Sequence, residues 1–288
     1  MKFQISLLSL SLAAFAMFSC NSSHDADHET AHEADSLHAV QKDTAKITVA
    51  DTTKFKFDFA LANVPSPAVS MQELSKWNSG YDNSILNDVS KMSKYTTEFD
   101  RAINMGVYNI DMCYAMANDK GSDVLKYMKS VVQLTDAMGL KGAVNSMVGK
   151  RAENNLGNKD SLFMILDEIF VKSDDYLRTN ERVFTAATIF TGGWIESLYI
   201  TCQTGIKSSD AAVKSKVNNL LWEQRFHLGN IITMLNDHKT KKEAAQLIAD
   251  LKPIHEEIQA VKQIAELDDA KFQSISGKIT ALRNKLTH

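Results

Sequence analysis

Proline and glycine are scarce, three and twelve in 288 residues. That scarcity excludes turn-rich sandwiches and barrels and favours long uninterrupted helices. Cysteine is too sparse for a disulfide scaffold: Cys20, Cys113 and Cys202 are the whole set, and no CxxC or Cys/His zinc spacing is present. No nucleophile elbow, phosphate-cradling glycine loop, zincin motif or dinucleotide fingerprint occurs, which lowers the weight of enzymatic readings and implies no cofactor. Net charge is missing as well. The formal value is -3, and the first fifty residues hold six acids (Asp25, Asp27, Glu29, Glu33, Asp35, Asp43) against Lys2, Lys42 and Lys46, which leaves 29 basic and 29 acidic residues over 51–288. A neutral body carries no electrostatic footprint for nucleic acid, so no such partner is expected.

What is present begins with an address. Lys2 precedes an apolar and weakly polar run from Ile5 to Phe18, then Ser19 and Cys20. This is the order of a secretory signal peptide, and the run is too short to cross a hydrocarbon core of about 30 Å. Met17-Phe18-Ser19-Cys20 resembles a lipobox, and the segment as a whole resembles the leader of Bacteroidota-type bacterial lipoproteins. The resemblance covers only the first two dozen residues and carries no activity. It implies cleavage after Ser19, lipidation of Cys20 with acyl chains such as palmitate, and a membrane partner through that anchor. The expected location is therefore the cell envelope, lipid-anchored at the outer membrane on its periplasmic face or at the cell surface; the acids just after Cys20 resemble a surface-export signal.

Residues 21–50 are polar and carry half of the eight histidines, His24, His28, His32 and His38. They read as a solvated tether. The spacing of four between His24, His28 and His32 also offers weak Zn²⁺ or Cu²⁺ coordination should the segment turn helical. The division expected is thus 1–19 signal peptide, 20–50 lipidated cysteine and tether, and 51–288 helical body, a single domain with enough apolar content to bury a sizeable core.

In the body, Phe55, Phe57, Phe59 and Leu61 alternate with Lys54, Lys56, Asp58 and Ala60, which predicts a short extended arm. Thereafter the pattern is helical, over about 68–79, 84–95, 97–118, 122–138 (capped by Ser122 and stopped by Gly139), 141–155, 159–178, 180–206, 209–238, 240–263 (interrupted at Pro253) and 268–286. Short loops between such helices predict an all-α bundle or short helical-hairpin array of about eight to ten helices. Val183–Cys202 has Glu196 as its only charge. Its threonines and glycines suit a central bundle helix covered on every side better than a membrane span.

Two lone carboxylates attract chemistry. Asp111 lies in the apolar run Gly106–Ala117 with Tyr108 and Tyr114 one turn away, and Glu196 lies beside Gly192, Gly193, Trp194 and Tyr199. A desolvated carboxylate either finds a partner or has its pKa raised. The two are candidate catalytic residues, an acid/base pair of an envelope hydrolase, with Tyr108, Tyr114, Trp194 and Tyr199 as candidate ligand-binding groups. The bland alternative satisfies each separately: Asp111 through tyrosines or Arg101, Glu196 through Arg182, Arg225 or a helix end. Gly192-Gly193 in mid-helix costs about 1 kcal/mol per glycine, which close approach of a neighbouring helix would offset. Glu223 and His227 share a stripe, but the paired Glu-x-x-His motifs of metal-binding bundles are missing, so no metal is expected in the body. With Cys20 assigned to lipid, Cys113 and Cys202 either pair as a disulfide or stay as buried free thiols. The functional expectation is an envelope lipoprotein whose body binds or scaffolds a partner protein or a small apolar ligand; the alternatives are the hydrolase and a purely structural spacer.

Overall fold

The computed structural model describes Asp58 and residues 66–77, 79–140, 150–151, 154–155 and 157–288. The signal peptide, Cys20, the tether histidines and most of the expected helix 141–155 lie outside these residues. Among the described residues the chain is all-α, with eight α-helices, three 3-10 turns and no strand. The helices are α1 (Pro67–Ser75), α2 (Glu98–Ala117), α3 (Gly121–Ala137), α4 (Lys159–Thr179), α5 (Val183–Lys207), α6 (Ala211–Asn236), α7 (Lys242–Ala260) and α8 (Asp269–Leu286).

Local chemistry explains most of the boundaries. Thr97 opens α2 with a capping box: its hydroxyl accepts from the Asp100 amide, and the Asp100 carboxylate accepts from the Thr97 amide. Asn158, Asp210 and Asp268 cap α4, α6 and α8 by accepting from the amides of Ser161, Ala212 and Lys271. Gly139 ends the helix before it at φ 72°, and the Leu140 amide reaches back to the Thr135 carbonyl. Ser122 is not the cap expected for α3, which starts at Gly121 after Lys120 with no side-chain cap. Pro253 lies within α7, which runs through it as one element.

The interior is built on α2 and α5. Residues 102–117 of α2 are buried without interruption, and α5 is buried on nearly all sides from Thr185 to Gly205. Four threonines of α5, at 188, 191, 201 and 204, return their hydroxyls to the carbonyl four residues earlier and so need no outside partner. This is how a helix with so many hydroxyls serves as the bundle's centre. No helix of the described residues is long and apolar enough to cross a membrane. Around this pair, α1, α4, α6 and α8 pack on α5, and α3 packs on α2; α7 closes the far side against α6 and α8.

Glycine decides how α2 meets α5. A Cβ on Gly192 would lie 2.1 Å from the Ile103 carbonyl oxygen, and one on Gly106 would lie 2.0 Å from the Ile189 oxygen and 2.7 Å from the Gly193 nitrogen. The two backbones therefore touch, closer than the 8–10 Å or so between axes that side chains ordinarily impose. The mid-helix glycines are offset by this contact, as expected of them.

The expected arm 54–61 lies outside the described residues except for Asp58, which is not extended but helical and is paired with Arg178 at 2.7 Å. Nor does 84–95 form an α-helix: residues 79–97 are a strap of two 3-10 turns, Asn83–Ile85 and Val89–Lys94, each opened by an aspartate cap. Its backbone groups are committed elsewhere, as set out below.

The glycines give a signed stability series. Gly192→Ala and Gly106→Ala should each destabilise by about 3 kcal/mol. Gly277→Ala on α8, where an added Cβ meets nothing within 4 Å, should stabilise by about 0.5–1 kcal/mol. Urea unfolding of the three variants checks the order.

Candidate functional site

Asp111 and Glu196 each sit about one turn beyond the glycine contact, on α2 and α5 respectively, so the crossing that joins the backbones also joins the carboxyl groups. Both side chains are 0% exposed, and the two carboxyl groups lie close enough to act on one another. They are not distant, and each also has a partner of its own.

Arg283 of α8 completes the cluster. Its Nε donates to Glu196 Oε2 and its Nη2 to Oε1, both at 2.9 Å, in a bidentate fork. The same Nη2 reaches the Ile85 carbonyl at 3.2 Å, and the guanidinium lies 4.5 Å from the centre of the Tyr199 ring. Arg283 is itself 5% exposed. Arg101, Arg182 and Arg225 are occupied elsewhere, with the Tyr95 and Ala137 carbonyls, with Glu98 and the Met138 carbonyl, and with the Trp222 and Phe226 rings respectively. Arg283 was not expected as the partner. The available signal was its register on α8, where it extends the buried stripe Phe272, Ile275, Ser276, Ile279 and Leu282.

The strap seals the cluster from outside. The Asn87 amide donates to Asp111 Oδ2 at 3.1 Å, and the Asn87 side chain donates to the Tyr95 hydroxyl (3.0 Å) and to Asn104 Oδ1 (3.3 Å). Tyr108 donates to the Asp88 carbonyl at 3.1 Å, and Lys91 to the Thr287 carbonyl at 2.9 Å. Asn104 in turn donates to the carbonyls of Asp100 and Leu286. A helix over 84–95 would spend these same backbone groups internally, which is why the local helical pattern yields to the network.

Burial, reinforced by the neighbouring Glu196 charge and opposed by Arg283, pushes the Asp111 carboxyl well above the usual carboxylate range. Burial likewise raises the Tyr108 phenol. A carboxylic acid beside a carboxylate and a guanidinium has the chemistry of an acid/base pair. Here, however, one of its oxygens accepts from the Asn87 amide and the whole group is enclosed in the core.

The other expected site residues divide. Tyr108, Tyr114 and Tyr199 are used internally: Tyr114 donates to the Gly80 carbonyl and stacks on Tyr81 at 5.1 Å. Trp194 borders a cleft of about 40 Å³, with Leu198 and Leu220 beside it and Ser70, Ser197, Thr201, Glu223 and His227 supplying polar groups. Its indole N–H donates to Gln224. Among the described residues no three His, Cys, Asp or Glu side chains come together as a metal site. The pairing considered for Cys113 and Cys202 is not formed: both are buried free thiols. Cys202 is held against Ser276 of α8 while Cys113 lies near Asp111, so the two sulfurs serve different contacts. Burial pushes each thiol up to about 12.

No protein-family model, curated protein or solved structure matches the chain. Its chemistry is therefore read from its own residues.

Two tests follow from this geometry. Arg283→Met should cost about 3–5 kcal/mol by leaving the acids without a counter-charge, whereas Glu196→Leu combined with Arg283→Met should cost far less than the two single changes summed. Denaturant midpoints of the three variants close that cycle. For the cysteines, thiol titration without reductant should find Cys113 and Cys202 unreactive in the native body and both reactive in urea. Reaction of neither in urea would restore the disulfide.

Proposed function

We propose that the chain is a lipid-anchored protein of the cell envelope whose helical body binds a partner rather than turning over a substrate. The observation that carries the second half is the commitment of Asp111 and Glu196. Both are fully buried, fixed by Arg283 and Asn87, and spent on holding α2, α5, α8 and the strap together. The first half rests on the signal peptide and the lipobox-like Met17-Phe18-Ser19-Cys20.

Between a small apolar ligand and a protein partner, size favours the protein. The cleft beside Trp194 holds about 40 Å³ and is lined by Trp194, Leu198 and Leu220 together with hydroxyl, carboxylate and imidazole groups. An apolar cavity that admits a benzene-sized ligand is nearer 150 Å³. A second reading, hydrolysis by the carboxyl pair, draws on the contact between Asp111 and Glu196 and requires the strap to move aside. A spacer role would leave the outer surface without partners.

Cys20→Ala tests the anchor: the variant should lose incorporation of a labelled fatty acid and pass from the membrane fraction to the soluble one. Equal labelling of both forms would remove the lipoprotein reading. In vivo cross-linking of the anchored protein should then enrich a defined envelope protein over the Cys20→Ala control. Enrichment of none would leave the spacer.

A further inference from the structure

We propose that a single proton is held between Asp111 and Glu196 in the folded body, and that this proton latches the 79–97 strap over the core.

The argument begins with donors and acceptors. Two ionised carboxylates can only accept, so they cannot hydrogen-bond to one another. Yet Asp111 and Glu196 are brought together at zero exposure by the glycine contact one turn away, and Asp111 Oδ1 meets no N–H or O–H donor among the described residues. A proton on the pair turns one of the acceptors into a donor and satisfies that oxygen. It also balances the charge. Without it the cluster holds two negative charges against one guanidinium whose fork is already engaged by Glu196; with it the cluster is neutral, the arrangement that carboxyl pairs in close contact adopt.

Besides Arg283, one cation among the described residues lies near enough to act on the pair, Lys91 of the strap, and it is committed elsewhere. On α2 the neighbours are Tyr108 and Cys113, on α5 Tyr199, on α3 Tyr127, and on α8 Arg283 alone. The strap contributes the Asn87 amide, Tyr81, Tyr95 and Lys91. Lys91 gives its hydrogen bond to the Thr287 carbonyl, and burial followed by repulsion from Arg283 lowers its affinity for its own proton.

Loss of the proton to solvent leaves adjacent like charges in the core. The least expensive relief is to admit water, and the strap is the cover without an α-helical ladder. Its middle is fastened at the cluster, Asn87 to Asp111, Ile85 to Arg283 and Asp88 to Tyr108, while Tyr81 to Asp123 and Lys207 to Asp82 hold its first residues elsewhere. The direction in pH follows. The affinity of Asp111 for its proton is raised on folding, so its contribution is complete below the unfolded carboxyl pKa of about 3.9 and is lost as pH rises toward the folded value.

Urea unfolding from pH 5 to 9, compared between the full chain and its Asp111→Asn variant, tests the proton. Asparagine donates to Glu196 at every pH without titrating. The folding constant of the unsubstituted protein should fall relative to that of the variant by up to about tenfold per pH unit while Asp111 remains protonated in the fold. Hydrogen exchange tests the latch: the peptide covering 79–97, measured against one from α7, should exchange progressively faster with rising pH in the unsubstituted protein but not in the variant. Parallel stability profiles, or a strap whose relative exchange is insensitive to pH, overturn the proposal. Should Asp111→Asn fail to fold, the infrared spectrum of the unsubstituted protein at pH 7 decides. A carbonyl band from a protonated carboxylic acid is expected, and its absence overturns the proposal equally.

Discussion

The contact between the backbones of α2 and α5 is the constraint on which the rest depends. Side chains normally hold helices apart, and the space between them is filled with apolar atoms. Here Gly106 and Gly192 remove that spacer from both sides, and the residues about one turn further along each helix are brought together whatever their chemistry. Those residues are Asp111 and Glu196. The glycines thus create an electrostatic problem that packing cannot absorb, since two desolvated carboxyl groups are costly to bury in any arrangement.

The remaining features read as the solution. Arg283 enters on α8 and gives its planar fork to Glu196, a geometry that lysine could not reproduce. Asn87 and the tyrosines then close the outer side through a segment that forgoes regular helix to do so. Polar contacts of this kind specify an arrangement more than they stabilise it. An apolar core could be repacked in several registers, whereas a fork, a backbone amide and a carboxyl contact must all be met at once. Central rigidity and a strap of minimal secondary structure lie side by side for the same reason.

Much of this was legible in the residues, and the boundary of legibility is physical. Asp111 and Glu196 stood out because a charge in an apolar helix is conspicuous, and Gly192-Gly193 because mid-helix glycine demands compensation. Helix positions followed from capping residues and periodicity, which act locally. Arg283 was hidden because α8 is otherwise rich in charge, with Lys271, Lys278 and Lys285, and only its register separates the buried basic residue from the exposed ones. The strap was misread because its local pattern is helical, while its structure is decided by partners far along the chain: Asp111, Arg283 and Thr287. The disulfide alternative stood open because spacing says nothing about which way two buried sulfurs face.

The position of the counter-charge also bears on how the body is assembled. Arg283 lies 87 residues beyond the glutamate it neutralises, on the last of the described helices. In a chain that emerges from its N-terminal side, whether from a ribosome or a narrow pore, both acids appear well before the only guanidinium that joins them. Until α8 arrives, α2 and α5 can collapse against each other only with their acids protonated or exposed to water, so closure of the centre has to wait for a long loop to form. Such long-range closure slows folding relative to bundles whose partners are neighbours in sequence. The core of this bundle is completed from its far end.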